Sequence, residues 1–269
     1  MATIALHSAG TGLSALGTQL DVIANNLANV NTVGFKRSRV NFQDLMYIER
    51  KQPGVQNTNG DERPTGLFVG LGTQVSGTQR SFEAGPAEVT GEPLDVSING
   101  SGFFQVAVGA DEAPGGIGYT RAGNLTLNSE GQLVMASDSG RVLQPPVTIP
   151  EGFQDITIMS NGEVFVTLSG DSEPQSVGQI ELASFANPAG LKDMGENLYS
   201  ETKASGPPTT GIPSEGGLGS LTAGVLEGSN VDPVIELVNL IKTQRAFELN
   251  SQTIKAADET LQQVSNLRR

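Results

Sequence analysis

The stretch Leu20-Asp21-Val22-Ile23-Ala24-Asn25-Asn26-Leu27-Ala28-Asn29-Val30-Asn31-Thr32-Val33-Gly34-Phe35 carries the end of one structural element and the signal that stops it. Read backward from Leu27, leucine recurs every seven residues at Leu20, Leu13 and Leu6. A second series, Val30, Ile23, Leu16 and Ala9, lies three positions further on. This is an a/d seam over four heptads, the period of helices that supercoil around a partner. At 1.5 Å per residue, positions 3–30 predict a rod of roughly 42 Å. Its stop lies at Asn31 to Phe35, where Gly34 accepts a left-handed backbone and Phe35 folds back on the last turn. Gly10, Gly12 and Gly17 weaken the first half, each by up to about 1 kcal/mol relative to alanine.

The opposite end of the chain repeats the period. Asp232 is a natural N-cap and Pro233 suits the first helical position. Leu240, Phe247, Ile254 and Leu261 then fall seven apart, with Thr243, Asn250, Ala257 and Val264 three positions on. Residues 233–267 predict a helix of roughly 52 Å. Polar Thr243 and Asn250 on the seam set register at a cost in stability. Both helices exceed the ordinary 8–20 residues. The expected subunit-interface residues are therefore Leu6, Leu13, Leu16, Leu20, Ile23, Leu27, Val30, Leu240, Phe247, Asn250, Ile254, Leu261 and Val264. A head-to-tail contact of this kind that does not close gives a helical filament.

Between the ends the period changes to two. Leu94, Val96 and Ile98 alternate before Asn99-Gly100-Ser101-Gly102, and Phe104, Val106 and Val108 alternate after it. Leu125 and Leu127 pair in pattern with Leu133 and Met135 across Asn128-Ser129-Glu130-Gly131. Ile156 and Ile158 do so with Val164, Val166 and Leu168 across Asn161-Gly162. Each reads as a hairpin. With no helical pattern between them, an antiparallel β domain is expected. The fold class is thus α+β: long terminal helices forming a coiled-coil-like core, and a central domain of hairpins. The expected divisions are 1–47 (helix and start of the core), 48–66 (extended arm), 67–202 (β domain), 203–228 (extended return) and 229–269 (second helix).

Composition follows these divisions. The 269 residues include 34 glycines, and all but Gly10, Gly12, Gly17 and Gly34 lie between Pro53 and Gly228. The net charge of −13 also belongs to the middle, since residues 1–52 are slightly basic and 229–269 balance. Such acidity opposes nucleic acid and anionic membrane surfaces. The chain has no cysteine, which excludes disulfides and thiolate chemistry, and one histidine, His7. No cofactor or metal is expected. Neither a signal-peptide pattern nor a run of eighteen apolar residues occurs, so no direct membrane insertion is expected. Asp111-Glu112 and Asp171 with Glu173 are the carboxylate pairs an enzyme would need, but both lie in turn contexts. The cluster Lys36-Arg37-Ser38-Arg39 reads as a solvated or ion-paired segment after the helix, or a contact for an anionic partner.

The segment Asp21 to Arg37 resembles the N-terminal signature of flagellar rod and hook proteins, and Glu236 to Ser251 resembles their C-terminal block. The signature positions are Asn25, Asn26, Leu27, Asn29, Gly34, Phe35 and Lys36, then Gln244, Arg245 and Ala246. Gly100-Ser101-Gly102-Phe103-Phe104-Gln105-Val106, Tyr119-Thr120-Arg121-Ala122-Gly123, Leu143-Gln144-Pro145 and Gly195-Glu196-Asn197-Leu198-Tyr199 extend the likeness into the body. Arg50 to Leu67 looks like the added segment that sets the distal rod type apart within the family. The resemblance implies a structural subunit of a helical homopolymer, exported by the flagellar type III apparatus without a cleaved signal. It also implies a rod that spans the periplasm, with proximal rod proteins, hook protein and the P-ring and L-ring proteins as neighbours. Two alternatives stay open at this point: another axial protein of proximal rod or hook type, and an extracellular β-rich enzyme acting on polysaccharide.

Overall fold

The computed structural model describes residues 2–55, 62, 64–109, 111–169 and 173–267. The chain divides into two compact units, one of residues 1–28, 38–79 and 232–269, the other of 29–37 and 80–231.

The first unit holds both helices, α1 (Ala2–Ala28) and α2 (Pro233–Leu267). The N-cap is formed as the sequence predicts: Asp232 Oδ1 accepts from the Val234 and Ile235 amides at 2.9 and 3.1 Å. Where α1 packs on α2 its buried positions are small, Ala9, Gly12 and Ala15, with Ile23 and Asn26 further along. A methyl group on Gly12 would stand 3.3 Å from Asn250 Nδ2. The glycine that weakens an isolated helix is here the position at which the second helix comes close.

The rest of this unit is a two-stranded ribbon. Ser38–Asp44 pairs with Thr73–Arg80, and Tyr47–Lys51 pairs antiparallel with Leu67–Gly70. The joint between them is bridged by Leu45 N–H to Gly72 O (2.9 Å) and Leu71 N–H to Met46 O (3.1 Å). It rests on α1, where His7 Nδ1 donates to Leu71 O at 3.0 Å and Gly72 lies against Thr11. The expected arm 48–66 therefore has its first residues in a ladder. Residues 56–61 and 63 of it lie outside the described residues.

The second unit is all β. Its largest sheet runs Lys192–Gly195, Leu198–Ser200, Ile117–Thr120, Phe103–Ala107, Leu182–Ser184, Thr209–Gly211, with Leu143–Gln144 also on Phe103–Ala107. Two of the three expected hairpins form. Leu125–Leu127 pairs with Leu133–Met135, and Phe153–Ile158 with Glu163–Leu168, which continues to Gln175–Gln179. The first does not. Val96–Asn99 pairs with Ser220–Ala223, while Phe103–Ala107 enters the large sheet. Gly100 and Gly102, at φ 119° and 145°, turn the chain out of one sheet into another, and a Cβ on Gly100 would stand 2.9 Å from Gly219 Cα. Alternation encodes a buried face, and it is silent about which strand lies alongside.

Val96, Phe104, Val106, Leu133, Leu143, Val164, Ile180 and Leu182 are fully enclosed in the main core. Each contributes about 1.5–3 kcal/mol by leaving water. Beside it, Phe82, Phe103, Tyr119, Phe185 and Tyr199 stack edge to face at centroid distances of 4.7–6.0 Å. Burial, with a smaller contribution from Glu201, pushes the Tyr119 phenol up to about 12. Burial also raises Tyr199, against the pull of Arg80.

Candidate assembly interface and a buried charge cluster

α2 uses one face internally. Glu236 and Thr243 are buried, and Leu240, Ala246, Asn250 and Ile254 are half-buried. The opposite face is also apolar and lies open: Val234, Ile235, Leu237, Val238, Ile241 and Leu249 are 44–67% exposed. Sequence reasoning looked for an interface on the seam and missed this stripe. The signal was present, since these residues occupy positions of the heptad other than a and d, where a two-stranded pair has no use for them.

The expected interface residues divide accordingly. Ile23 is buried, while Leu6, Leu13, Leu16, Leu20, Leu27, Val30, Leu240, Asn250 and Ile254 are half-buried within the chain itself. Phe247 and Leu261 remain exposed, and the Val264 side chain lies outside the described residues. Gln244 and Arg245 point outward, with Arg245 Nη1 3.0 Å from Glu248 on the same helix. Ala246 is half-buried.

The N-terminal signature has a different role. Asn26 is buried and reads the backbone at the start of the ribbon: its Nδ2 donates to Ser38 O at 2.8 Å, and its Oδ1 accepts from Ser38 N–H at 2.9 Å. Asn25 is exposed, Leu27 and Asn29 half-buried.

In the β unit, Gly34 takes φ +68° as its sequence context predicts. A side chain there would meet the Ala122 amide at 2.7 Å. Phe35 is buried under the Arg80 guanidinium, 5.5 Å from its ring centre. Of the expected alternatives for Lys36, solvated or ion-paired, the second holds, and the residue is completely buried. Its ammonium lies 2.5 Å from Glu227 Oε1 and donates to Glu83 O at 2.7 Å. Glu227 Oε1 also accepts from Gly85 N–H at 3.0 Å, and its Oε2 faces Arg121 Nη1 at 3.5 Å. Arg121 donates to Gly100 O at 2.8 Å and stands 5.3 Å over the Phe103 ring.

Two buried cations thus share one carboxylate. Burial pushes both Lys36 and Arg121 below their ordinary ranges, opposed by Glu227 in each case. Glu227 supplies the buried counter-charge for both, and the carbonyls of Glu83 and Gly100 supply further acceptors.

Asn230, which sequence reasoning passed over, completes the junction. Its Oδ1 accepts from Arg37 N–H at 2.7 Å, and its Nδ2 donates to Ser81 O (2.9 Å) and Glu83 O (3.1 Å). Asn197 Nδ2 donates to Val33 O at 3.1 Å, and Gly34 N–H to Glu227 O at 2.7 Å. Several of the body motifs singled out in the sequence, at 119–123 and 195–199, therefore meet the N-terminal signature at one point.

Of the carboxylates weighed for catalysis, Glu112 is paired with Arg141 at 2.8 Å, Asp111 and Glu173 are exposed, and Asp171 lies outside the described residues. Among the described residues no helix is long and apolar enough to cross a membrane.

A helical unit and a β unit in one chain, with a second apolar face left open on one helix, describe a subunit that fits assembly. Comparison with known proteins gives that class its family. Residues 6–36 match the flagella basal body rod protein family, 97–166 the flagellar hook protein FlgE/F/G D1 domain, and 222–267 the flagellar basal body rod FlgEFG protein C-terminal family. The chain belongs to this flagellar rod family and is a structural protein, not an enzyme. More particularly, it is 44% identical over 265 residues to the flagellar basal-body rod protein FlgG of Caulobacter vibrioides, covering 98% of this chain and 99% of that one. It is 38% identical over 275 residues to FlgG of Bacillus subtilis, covering 98% of each. With the basal-body rod protein FlgF of Caulobacter vibrioides it shares 35% over 241 residues, 87% of this chain and 84% of that one.

Proposed function

We propose that this chain is the subunit of the flagellar distal rod. It polymerises helically with copies of itself into a hollow drive shaft that carries torque from motor to hook and passes exported subunits. The observation that carries this reading is the open stripe Val234, Ile235, Leu237, Val238, Ile241 and Leu249 on a helix whose other face is already used. An isolated subunit gains nothing from it, whereas a neighbouring copy buries it. In this reading α1 and α2 form a coiled-coil-like core within the tube wall, with the divisions 1–47 and 229–269 supplying that core. The acidic segment 67–202 faces outward, 48–66 is an arm reaching a neighbour, and 203–228 is the return. Near-neutral ends suit dense packing of like subunits, where an unpaired charge is costly. The partners are then proximal rod proteins below, hook protein above, the P-ring and L-ring proteins around, and the type III export apparatus that delivers the chain across the inner membrane without a cleaved signal.

The test is Leu237→Asp with Ile241→Asp in the full chain. Polymer should be lost and cells carrying the variant should not swim, while the purified protein keeps its circular dichroism and unfolding midpoint. Wild-type rods from this variant would refute the reading.

A further inference from the structure

The segments that lead into the two helices, 29–37 and 228–231, belong by contact to the β unit. No strand is assigned to either. Gly34 N–H reaches Glu227 O, Asn230 N–H reaches Phe35 O at 3.3 Å, Arg37 N–H reaches the Asn230 side chain, and Lys36 reaches Glu227 across 191 positions of sequence. The two units also differ in what sustains them. The β unit has a closed apolar core, while α1 contains three glycines, has no acid in its first turn or base in its last, and leans on an α2 that leaves eight large apolar residues open among the described residues. Elements of that kind open first, at a lower free energy than a packed core.

We propose that Lys36, Glu227 and Asn230 form a clamp that stays shut when the terminal helices open, and so positions the roots of α1 and α2 for pairing as a subunit is added to a polymer. This rests on the reading of the chain as a rod subunit. With the clamp shut, the free chain between the helices is that from Ala28 to Lys36 and from Glu227 to Pro233, about 14 residues. With it open, and with the ribbon 38–80 opening together with the helices whose unit it shares, the first anchor on the N-terminal side is Phe82 in the aromatic cluster, and the free length becomes about 60 residues. Effective concentration falls as roughly the −3/2 power of length, so the clamp raises the encounter of the two helices roughly ten-fold. The three residues act through the helices they hold, as positioning residues.

The chain has no cysteine, which permits a clean test in the full-length protein. Arg37→Cys with Asn230→Cys removes the Asn230 bonds when reduced and replaces them by a covalent link when oxidised, at a place where the Arg37 amide already lies 2.7 Å from the Asn230 side chain. The reduced variant, which keeps the Lys36–Glu227 pair, should polymerise more slowly than wild type by a factor of up to about ten, with amide protection across 96–107 unchanged, and oxidation should restore the rate. A reduced variant that assembles at the wild-type rate, or an oxidised one that stays slow, would overturn the clamp. Lys36→Met provides a second opening that needs no disulfide chemistry and should slow assembly in the same direction. Hydrogen exchange on the unassembled wild-type chain separates this proposal from the function it rests on. Amides 34–37 should stay protected while those of α1 exchange, and exchange of both at one rate would sink the clamp whatever the rod does. Failure of the wild-type chain to polymerise at all would sink the rod reading instead.

Discussion

The β unit and the helical unit dispose of their apolar residues in opposite ways. In the β unit Val96, Phe104, Val106, Leu143 and Leu182 are enclosed, and even the cations Lys36 and Arg121 are drawn inside and supplied with a partner. On α2, seven valine, leucine and isoleucine side chains among the described residues stand in water. One region encloses its large apolar residues within a single chain, and the other leaves an apolar helix face uncovered. If the open stripe is the assembly surface proposed above, stability and assembly draw on different surfaces and are separable.

The comparison can be broken most forcefully from the β side. Phe104→Ala removes a fully buried ring and should cost about 4 kcal/mol in denaturant unfolding of the β unit. A cost below about 1 kcal/mol would mean that this core is not the closed one described. Glu227→Gln should follow at about 3 kcal/mol, since it leaves two buried cations without their shared carboxylate. Tyrosine ionisation comes next. Because folding raises the Tyr119 phenol to about 12, its contribution is complete below the unfolded value near 10 and is lost as the pH climbs from there through 12. Unfolding free energies should drop by roughly 2–3 kcal/mol over that window, and Tyr119→Phe should flatten the slope; an unchanged slope would contradict the burial assigned to it. Lys36→Met should cost less than Glu227→Gln, about 1–2 kcal/mol, as Glu227 keeps Arg121. The reverse order would show that the charge count is wrong. The smallest effect is expected on the helical side: Val238→Ser or Leu249→Gln should shift monomer stability by less than about 0.5 kcal/mol. A loss of several kcal/mol would place those residues in an intramolecular core and end the contrast.

How far the sequence discloses this arrangement depends on the range of the interaction involved. Helix periods, the Asp232 cap and the Gly34 stop are local, and they read directly. So do the hairpins at 125–135 and 156–168, whose two strands are neighbours in sequence. The partner of Val96–Asn99 is more than a hundred residues away at Ser220–Ala223, and nothing in its alternation names that partner. Lys36 shows the same limit. Four basic or polar residues after a helix read equally as solvated or ion-paired until Glu227 is brought beneath one of them, and Asn230 has no local signature for its links to two separate segments, 35–37 and 81–83. The outer stripe of α2 failed to register for another reason: a heptad template counts apolar residues that match it and ignores those that do not.

The meeting of residues 34–37 with 227–230 also has a consequence for how such a chain can vary. Within the β unit the stretch 34–37 is hydrogen-bonded to 227–230, so the long segment between them is a cassette with adjacent ends. A cassette of that kind can be lengthened, trimmed or exchanged for another with adjacent ends, and a tag or foreign domain spliced into its far loops, without changing the spacing it presents to the rest of the chain.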